Sequence, residues 1–339
     1  MNSSRTKLTS IFLSQSSWKN AKRTSIQGDA SRRQYERLTC SMKGTSILMD
    51  APPEHGEDVK PFVKVCKYFQ KIGLSVPKIY ESDISNGFLI LEDFGENLFS
   101  KMLINKPNNE LEFYINATDN LIRLYHSTPL KGLDVYNCSD MVNKSLLALD
   151  WYLEYGLTAS PNVTLKTEFY KLLNASLINI MSTPHIMVHR DFHAENLIWL
   201  NHRKGYQRVG ILDFQDTMLG HPAYDLASLL NDIRREVNPE IKRKCLEHYL
   251  LNTKLNVEDF EHGFSVCSAQ RNLRILGVFT RLSVRDNKKG YLTFIPGIWR
   301  KLIEDLQHPA LGDLNSLIRD FFPEPNNDVI QRIKNSHVS

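Results

Sequence analysis

One polar segment with apolar residues on both sides constrains the fold of this chain more than any other feature. Residues 189–196 read His-Arg-Asp-Phe-His-Ala-Glu-Asn, with Ile-Met-Val before them and Leu-Ile-Trp-Leu after them. The apolar flanks are expected to pack in a core, which anchors both ends of a polar loop. The chain must therefore build a rigid framework that presents this loop to a ligand.

The oxygen-bearing side chains in and after this loop have the spacing used in phosphoryl transfer. Asp191 and Asn196 stand at positions i and i+5, and Asp213 follows a predicted strand at 208–212. In kinase-type chemistry an Asp holds the acceptor hydroxyl, while an Asn and a second Asp hold Mg²⁺ on the nucleotide phosphates. Asp191 is therefore the candidate catalytic base, or the residue that orients the hydroxyl. Asn196 and Asp213 are the candidate metal ligands, because Mg²⁺ prefers hard oxygen donors.

The other polar residues of the loop have less definite roles. Asp191 and Asn196 could alternatively do no more than cap a turn. We expect His189 to support the loop backbone. His193 and Glu195 lie beside the candidate base and are either acceptor-binding residues or solvated loop positions.

The segment after Asp213 favours a small acceptor over a protein. Residues 213–215 are Asp-Phe-Gln. A glycine at the third position would let this backbone segment switch between two conformations, and glutamine restricts that change. Residues 220–226 follow at once without an activation segment or an Ala-Pro-Glu. The platform on which a peptide would lie is therefore missing, and no protein substrate is expected. Asp225 opens a predicted helix and is expected to support the catalytic loop by hydrogen bonds.

The composition of the chain narrows the class of protein. Of its 339 residues, 42% are hydrophobic and 24% charged, which is typical of a soluble globular protein of about two lobes. The net charge of +4 does not require a nucleic acid. Five scattered cysteines without a Cys-x-x-Cys pair and the lack of a membrane-length apolar run favour a cytoplasmic location, with no nucleic-acid or membrane partner.

The pattern along the chain predicts an α+β, bilobal, protein-kinase-like fold. The β-rich first part is expected to hold strands at 23–27, 34–40, 45–50, 79–82 and 87–91, with helices at 5–18 and 59–73. Longer helices are expected at 97–105, 109–128, 139–156, 164–182 and from 223 onward. We therefore predict a nucleotide-binding N-lobe at 1–94 and a mainly helical C-lobe at 95–339, with a loosely held tail after Phe322.

The nucleotide side carries weaker signals. Gly28 and Ser31 belong to a turn placed where a phosphate-covering turn is expected, but the sequence lacks a glycine-rich phosphate motif. The third strand ends without the Lys that would bind phosphates, and Arg33 or Arg37 on the preceding strand could replace it; otherwise they are surface residues. The backbone of three residues after the last strand is expected to meet the adenine: Glu92, Asp93 and Phe94.

These segments together resemble a known family. Residues 28–35, 91–95, 189–196 and 212–230 are similar to the aminoglycoside phosphotransferase superfamily, and most similar to its bacterial anomeric kinases of N-acetylmuramate and N-acetylglucosamine in peptidoglycan recycling. The similarity runs from about residue 28 to 300. It implies ATP, Mg²⁺ and phosphorylation of a sugar C1 hydroxyl, and in this subgroup the missing Lys is expected.

The acceptor is the least defined part of the resemblance. The family loop often has Ser-Arg where this chain has Ala194-Glu195, and Glu195 would repel the lactyl carboxylate of N-acetylmuramate. A neutral sugar such as N-acetylglucosamine is therefore expected to be preferred. Trp151 could stack on a sugar or be a core aromatic. Arg271 could contact a ligand or belong to a solvated helix face.

Two other functions fit parts of the pattern. A kinase for an aminoglycoside or an amino alcohol is the main alternative, because Glu195 would attract a cationic acceptor. A metal-dependent hydrolase could use His189 and His193, but the Glu of His-Glu-x-x-His is not there. A nucleotide-binding module without catalysis is disfavoured because Asp191, Asn196 and Asp213 are all in place.

Overall fold

A computed structural model describes residues 3–26, 32–158 and 160–337 of the chain. The strands are β1 (Lys22–Ile26), β2 (Gln34–Cys40), β3 (Gly44–Asp50), β4 (Ile79–Asp83), β5 (Phe88–Glu92), β6 (Ile186–Val188), β7 (Leu197–Trp199), β8 (Val209–Ile211) and β9 (Met218–Gly220). The helices are α1 (Ser3–Gln15), α2 (Lys60–Lys71), α3 (Phe99–Asn105), α4 (Glu110–Tyr125), α5 (Cys138–Ser145), α6 (Glu154–Leu157), α7 (Val163–Ile180), α8 (Ala223–Leu230), α9 (Pro239–Thr253), α10 (Val257–Val284), α11 (Ile295–Asp305), α12 (Gly312–Phe321) and α13 (Asn327–Asn335).

The chain divides into two compact units. The first comprises Met1–Asn120 with Glu195–Thr217, and the second comprises Leu121–Ala194 with Met218–Ser339. The sheet-forming strands β1 to β5 and the β7–β8 pair belong to the first unit, and most helices belong to the second. The partition into lobes at residue 94, drawn from the change in sequence pattern, stays a prediction.

The first unit is built on an antiparallel sheet with the order β1-β2-β3-β5-β4. The predicted strands of this part agree with the observed ones to within about one residue. Strand β5 is the most buried, with Phe88, Leu89 and Ile90 fully covered. A strand buried on both faces reads as a continuous apolar run rather than an alternation, as this one does.

Helix α1 is attached to the sheet by packing and by charge. Leu13 packs with Leu38, Leu48 and Ile90 in a small core cluster. Nε of Arg5 donates to Oδ1 of Asp50 at 2.9 Å, and its guanidinium also lies over the ring of Phe88. The predicted helix at 5–18 is therefore present and begins and ends two to three residues earlier.

The second unit is organised around the 28-residue helix α10, most of which is buried. It packs on α8 and α11 and on a π-helical turn at Ala148–Leu153. At that crossing a Cβ on Gly277 would lie 2.2 Å from the carbonyl carbon of Leu147. Only glycine allows the two backbones to approach this closely.

Three expectations about the helical part require correction. The helix predicted at 139–156 is interrupted by the π-helical turn, which separates α5 from α6. The strands β6 and β9, which pair with each other, were not predicted as strands. The tail after Phe322 is not loosely held: α13 buries Val329 and Ile333, and the Tyr152 hydroxyl donates to the Pro323 carbonyl at 2.6 Å.

A buried carboxyl links α8, α10 and α11. Asp305 on α11 accepts hydrogen bonds from Ser268 at 2.6 Å, Asn272 at 2.9 Å and Asn231 at 3.2 Å. Burial raises the pKa of Asp305 to about 7, although these donors and the charge of Lys242 lower it in part. The folded protein therefore holds this proton more tightly than the unfolded chain does.

We expect Asp305 to make stability fall as the pH rises. Its raised pKa means that the folded state binds more protons between about pH 4 and pH 7, so the free energy of unfolding falls across that range by about 1–4 kcal/mol from this group. Asp305→Asn removes the titration, so the variant should lose this part of the slope. Thermal melts from pH 5 to pH 8 measure it, with the exposed Asp313→Asn as control. An unchanged slope in Asp305→Asn would contradict the prediction.

Candidate functional site

A cavity of about 680 Å³ lies within the first unit. Its walls come from β1, β2 and β3 on one side and from the chain around β7 and β8 on the other. A volume of this size suits a nucleotide-sized ligand. The lining residues used below are Tyr35, Arg37, Ile47, Met49, Phe62, the segment 91–96, Lys101, Asn196 and residues 212–215.

The two candidate metal ligands line this cavity together. Asn196 precedes β7 and Asp213 follows β8, and the antiparallel pairing of these strands brings the ends of both to one edge. The backbone N–H of Leu212 donates to the carbonyl of Asn196 at 2.9 Å, which joins the two loop ends. The structure thus brings Asn196 and Asp213 to one place, as a shared metal would require.

Asp213 has a constrained backbone and an oriented side chain. Its φ is +58°, a left-handed conformation that non-glycine residues adopt mainly where the surroundings enforce it. Nε2 of Gln215 donates to Oδ1 of Asp213 at 2.7 Å. Gln215 is almost fully buried, so this side chain holds one carboxylate oxygen in place. The Gln of the Asp-Phe-Gln segment therefore has a specific contact in addition to its smaller backbone freedom.

Phe214 anchors the same segment on helix α2. Its ring lies 4.6 Å from the ring of Phe62 and 5.8 Å from that of Phe69, centroid to centroid. Phe214 is fully buried. Aromatic packing of this kind, together with the Gln215 contact, keeps Asp213 turned toward the cavity.

The three predicted adenine-contacting residues all line the cavity, and their side chains are held in place. Glu92 accepts a hydrogen bond from Arg203 at 2.7 Å, and Asp93 accepts one from Arg37 at 2.7 Å. Phe94 packs so closely on Gly210 that a Cβ there would lie 2.7 Å from its ring. The backbone N–H of Glu92 already donates to the carbonyl of Lys78 at 2.8 Å, so the contact of this segment with adenine stays a prediction.

The phosphate-binding residues predicted from the sequence lie in different places. Gly28 and Ser31 fall outside the described residues. Arg33 is not among the cavity-lining residues; its Nε donates to Glu57 at 2.7 Å. Arg37 does line the cavity, with Asp93 and Glu96 as partners. Within the described ranges, Arg37 and Lys101 are the cations of the cavity wall.

Tyr35 lies beside the end of β3, the strand on which a phosphate-binding lysine is missing. It pairs across the sheet with Met49 at the end of β3, so both side chains project from the same face, and both line the cavity. Burial raises the pKa of the Tyr35 hydroxyl, while the positive charge of Arg33 lowers it in part. Arg33 is thus an electrostatic neighbour of a residue that faces the ligand space.

We expect Arg37→Ala to raise the KM for ATP about tenfold or more, because Arg37 lines the cavity and one charge-assisted hydrogen bond to a phosphate is worth about 1.5–3 kcal/mol. Steady-state kinetics at saturating acceptor measure the effect. Exposed Arg32, in the same unit, provides a control as Arg32→Ala. An unchanged KM for ATP in Arg37→Ala would exclude it from phosphate binding.

The loop around Asp191 belongs to the second unit, and the side chain of Asp225 holds its backbone in place. The Asp225 carboxylate accepts hydrogen bonds from the backbone N–H groups of His189 at 2.5 Å and Arg190 at 2.8 Å. Arg190 has a φ of +78°, so the carboxylate secures a strained point of the chain. His189 is buried, and its Nδ1 lies 3.3 Å from the Asp191 N–H. Both predicted supporting residues therefore contact the loop backbone.

Asp191 forms an ion pair with an arginine of helix α10. Nη2 of Arg274 donates to Oδ1 of Asp191 at 3.1 Å, and the Asp191 side chain remains 39% exposed. Burial would raise the pKa of Asp191, but the positive charge of Arg274, followed by His193 and Arg271, outweighs it and holds the pKa well below its usual range. The group is a carboxylate at all physiological pH values.

His193 lies in the same cluster. Burial lowers its pKa to about 4, so the ring is neutral at pH 7. Its Nε2 lies 3.4 Å from Nη1 of Arg234, whereas its Nδ1 is buried without a hydrogen-bond partner among the described residues. In the tautomer that accepts from Arg234, Nδ1 carries a proton that it can donate to a ligand.

The remaining candidates for acceptor binding are not equivalent. Glu195 is exposed and lies in the first unit. Trp151 stacks on Tyr155 and packs against the helical core, so packing accounts for it. Arg271 is buried on α10, one turn before Arg274. The pair Arg271 and Arg274 has i, i+3 spacing in the sequence, but only the packing of α10 shows that this face is buried.

The chain is similar to known phosphotransferases along most of its length. A model described as the phosphotransferase enzyme family matches residues 22–260. The chain is 32% identical to the N-acetylmuramate/N-acetylglucosamine kinase of Caulobacter vibrioides, covering 95% of this chain and 98% of that one. It is 30% identical to the kinase of the same name from Pseudomonas aeruginosa, covering 86% of each.

Solved structures show the same fold at low sequence identity. A microcompartment-associated aminopropanol kinase matches with a TM-score of 0.65 at 14% identity, covering 90% of this chain and 98% of that one. A choline/ethanolamine kinase family protein from Mesorhizobium loti matches with a TM-score of 0.61 at 12% identity, covering 97% and 99%. These likenesses confirm the predicted bilobal, kinase-like α+β fold.

The described residues also lack the features of two other classes of site. None of the helices in that part of the chain combines the length and apolarity needed to cross a membrane. No group of three or more His, Cys, Asp or Glu side chains in the described ranges is arranged to hold a metal ion. A magnesium ion bound through phosphates needs only one or two protein carboxylates, so this does not conflict with Asn196 and Asp213 as its ligands.

Proposed function

Because the chain belongs to the phosphotransferase enzyme family, we propose that it is an ATP- and Mg²⁺-dependent kinase of amino sugars that phosphorylates the anomeric C1 hydroxyl of N-acetylmuramate or N-acetylglucosamine. The observation that carries this proposal is the cavity of the first unit, in which Asn196 and Asp213 share a wall with the segment 91–96. Two oxygen donors and a loop segment after a buried strand, all in the wall of one cavity, suit a nucleotide with its metal. The proposed acceptor is taken from the names of the similar kinases.

The donor set fits magnesium. Asn196 offers an amide oxygen and Asp213 a carboxylate, both hard ligands. Gln215 donates a hydrogen bond to one carboxylate oxygen of Asp213, and the exposed side chain of Asp213 lines the cavity. When bound there, Mg²⁺ would neutralise charge on the phosphate oxygens. The contribution of the chain is to hold both ligands in fixed positions, so that little reorganisation is needed.

Asp191 is suited to orient a hydroxyl and to accept its proton late. Its depressed pKa makes it a weak base, so early proton abstraction is unfavourable. An anomeric hydroxyl is more acidic than an ordinary alcohol because the ring oxygen withdraws electrons. In a loose phosphoryl-transfer transition state the hydroxyl loses its proton late, and positioning supplies most of the rate enhancement. A fixed carboxylate beside Arg274 meets that requirement.

An acceptor panel with product analysis tests the proposal. The purified protein is incubated with ATP and Mg²⁺ and with N-acetylmuramate, N-acetylglucosamine, an aminoglycoside or an amino alcohol, and ADP release is measured. Phosphorus NMR of the product should show an acid-labile sugar 1-phosphate. The methyl glycoside of N-acetylglucosamine, which has no free anomeric hydroxyl, is the matched control and should not react. Turnover of the glycoside, or of the aminoglycoside alone, would contradict the proposal.

A further inference from the structure

Arg271 is a buried guanidinium whose hydrogen-bonding capacity is only partly used within the described residues. The side chain is 2% exposed, and its Nε and Nη1 have no hydrogen-bond partner among the described residues. An unpaired guanidinium inside a protein is unfavourable, because burial removes water without replacing its hydrogen bonds. Such a group is expected where a ligand completes its coordination.

The carboxylates around Arg271 are engaged elsewhere. Asp191 forms its ion pair with Arg274. Asp232 is fully buried and accepts hydrogen bonds from the backbone N–H groups of Arg234 at 2.9 Å and Ala194 at 3.4 Å. Burial lowers the pKa of the Arg271 guanidinium in spite of both negative charges. Both carboxylates attract the Arg271 charge, but each has other hydrogen-bond partners.

The other polar groups of this cluster that have no partner are also able to donate. The Tyr224 hydroxyl, an electrostatic neighbour of Arg271, is buried without a partner in the described part of the chain, and so is Nδ1 of His193. The ring of Tyr136 packs edge-on against Tyr224 at 5.5 Å, and its hydroxyl has no partner there either. A ligand group that only accepts hydrogen bonds, such as a carboxylate, would satisfy these donors.

The location of this cluster connects it to the acceptor. Arg271 precedes Arg274 by one helical turn, which places both side chains on one face of α10, and Arg274 contacts Asp191. A carboxylate bound to Arg271 would therefore lie within a few ångströms of the hydroxyl that Asp191 orients. A cationic acceptor would instead meet two arginines, which disfavours aminoglycosides.

We propose that Arg271 binds a carboxylate of the acceptor and makes the enzyme prefer an acidic amino sugar to a neutral one. This inference rests on the proposed function and reverses the preference for a neutral sugar that Glu195 suggested. Glu195 is exposed, so water screens its charge, whereas the charge of Arg271 is buried and acts strongly on a ligand. Arg271 is thus a specificity-determining residue.

The test compares kcat/KM for N-acetylmuramate with kcat/KM for N-acetylglucosamine. Arg271→Gln should lower the ratio of the two about 10–100-fold, chiefly through KM for the acidic sugar, as expected for the loss of one charge-assisted hydrogen bond. Arg271→Lys should keep part of the preference because it keeps the charge. Arg285→Gln, at the end of the same helix, is the control and should leave the ratio unchanged, because Arg285 is exposed and paired with Asp286.

A measurement on the wild-type protein does not depend on the folding of a variant. The carboxamide of N-acetylmuramate has nearly the same shape without the charge, so its kcat/KM should be about tenfold or more lower than that of the acid. If acid and amide react equally, or if Arg271→Gln changes both sugars by the same factor, the inference is wrong although the kinase assignment stands. If the wild type phosphorylates neither sugar, the proposed function is wrong and the inference with it.

Discussion

Replacing Asp191 with alanine is expected to lower kcat by about 10²–10⁴-fold, the contribution typical of a positioned general base. The KM for ATP should change little, because the nucleotide is proposed to bind in the first unit and Asp191 lies in the second. Steady-state kinetics with the amino-sugar acceptor measure both constants. A loss confined to kcat shows that the carboxylate acts on the reacting hydroxyl rather than on binding.

Two further variants separate chemistry from folding. Asp191→Asn keeps the size of the side chain and can still orient a hydroxyl, but it cannot take a proton or neutralise Arg274. Removing Asp191 leaves the largely buried Arg274 without its carboxylate, which lowers stability, so thermal melts must show that both variants are folded at the assay temperature. Exposed Asp134, in the same unit, provides the control Asp134→Ala. Near-wild-type turnover of Asp191→Ala would exclude Asp191 from catalysis.

Removing the carboxylate of Asp213 should reduce Mg²⁺-dependent turnover by about 10³-fold or more. A bound metal ion stabilises the charge that develops in the transition state by several kcal/mol, and each 1.36 kcal/mol of barrier is about a factor of ten in rate. Asp213→Ala also changes the backbone, because alanine is poorly suited to a φ of +58°. Asp213→Asn is the sharper variant, since asparagine tolerates that conformation and differs mainly in charge.

The magnesium dependence of the rate identifies the cause of the loss. With Asp213→Asn, the Mg²⁺ concentration at half-maximal rate should rise, and a high concentration should restore part of the activity. Asp216→Asn, in the same loop, is the control and should keep the wild-type dependence. A variant at Asp213 with unchanged rate and unchanged Mg²⁺ dependence would remove this residue from the metal site.

The candidate site was partly predictable because its residues are close in sequence. Asp191 and Asn196 share one loop, and β7 and β8 form a local hairpin that carries Asp213 to the same edge as Asn196. Local pairings of this kind follow from the alternation of apolar strands and turns. The family resemblance rested on the same segments, and the matched family model covers residues 22–260.

Features that depend on distant contacts were missed or misread. Strand β9 is three residues long and exists through its pairing with β6, some thirty residues earlier. Helix α13 lies in a polar segment and is stabilised by burying Val329 and Ile333 against the helical core. Propensity does not distinguish such a helix from a loose tail, because tertiary packing supplies most of its stability.

The amino-acid sequence established the polar loop, its oxygen donors and the five strands of the first sheet, because these depend on residue type and short spacing. The tertiary structure alone showed that Arg274 pairs with Asp191 and that Nε and Nη1 of Arg271 are buried without a hydrogen-bond partner among the described residues. Burial and charge pairing arise between segments far apart in the chain, and no local pattern specifies them. The acceptor preference that we infer from Arg271 therefore depends on the packing of α10, which the sequence does not specify.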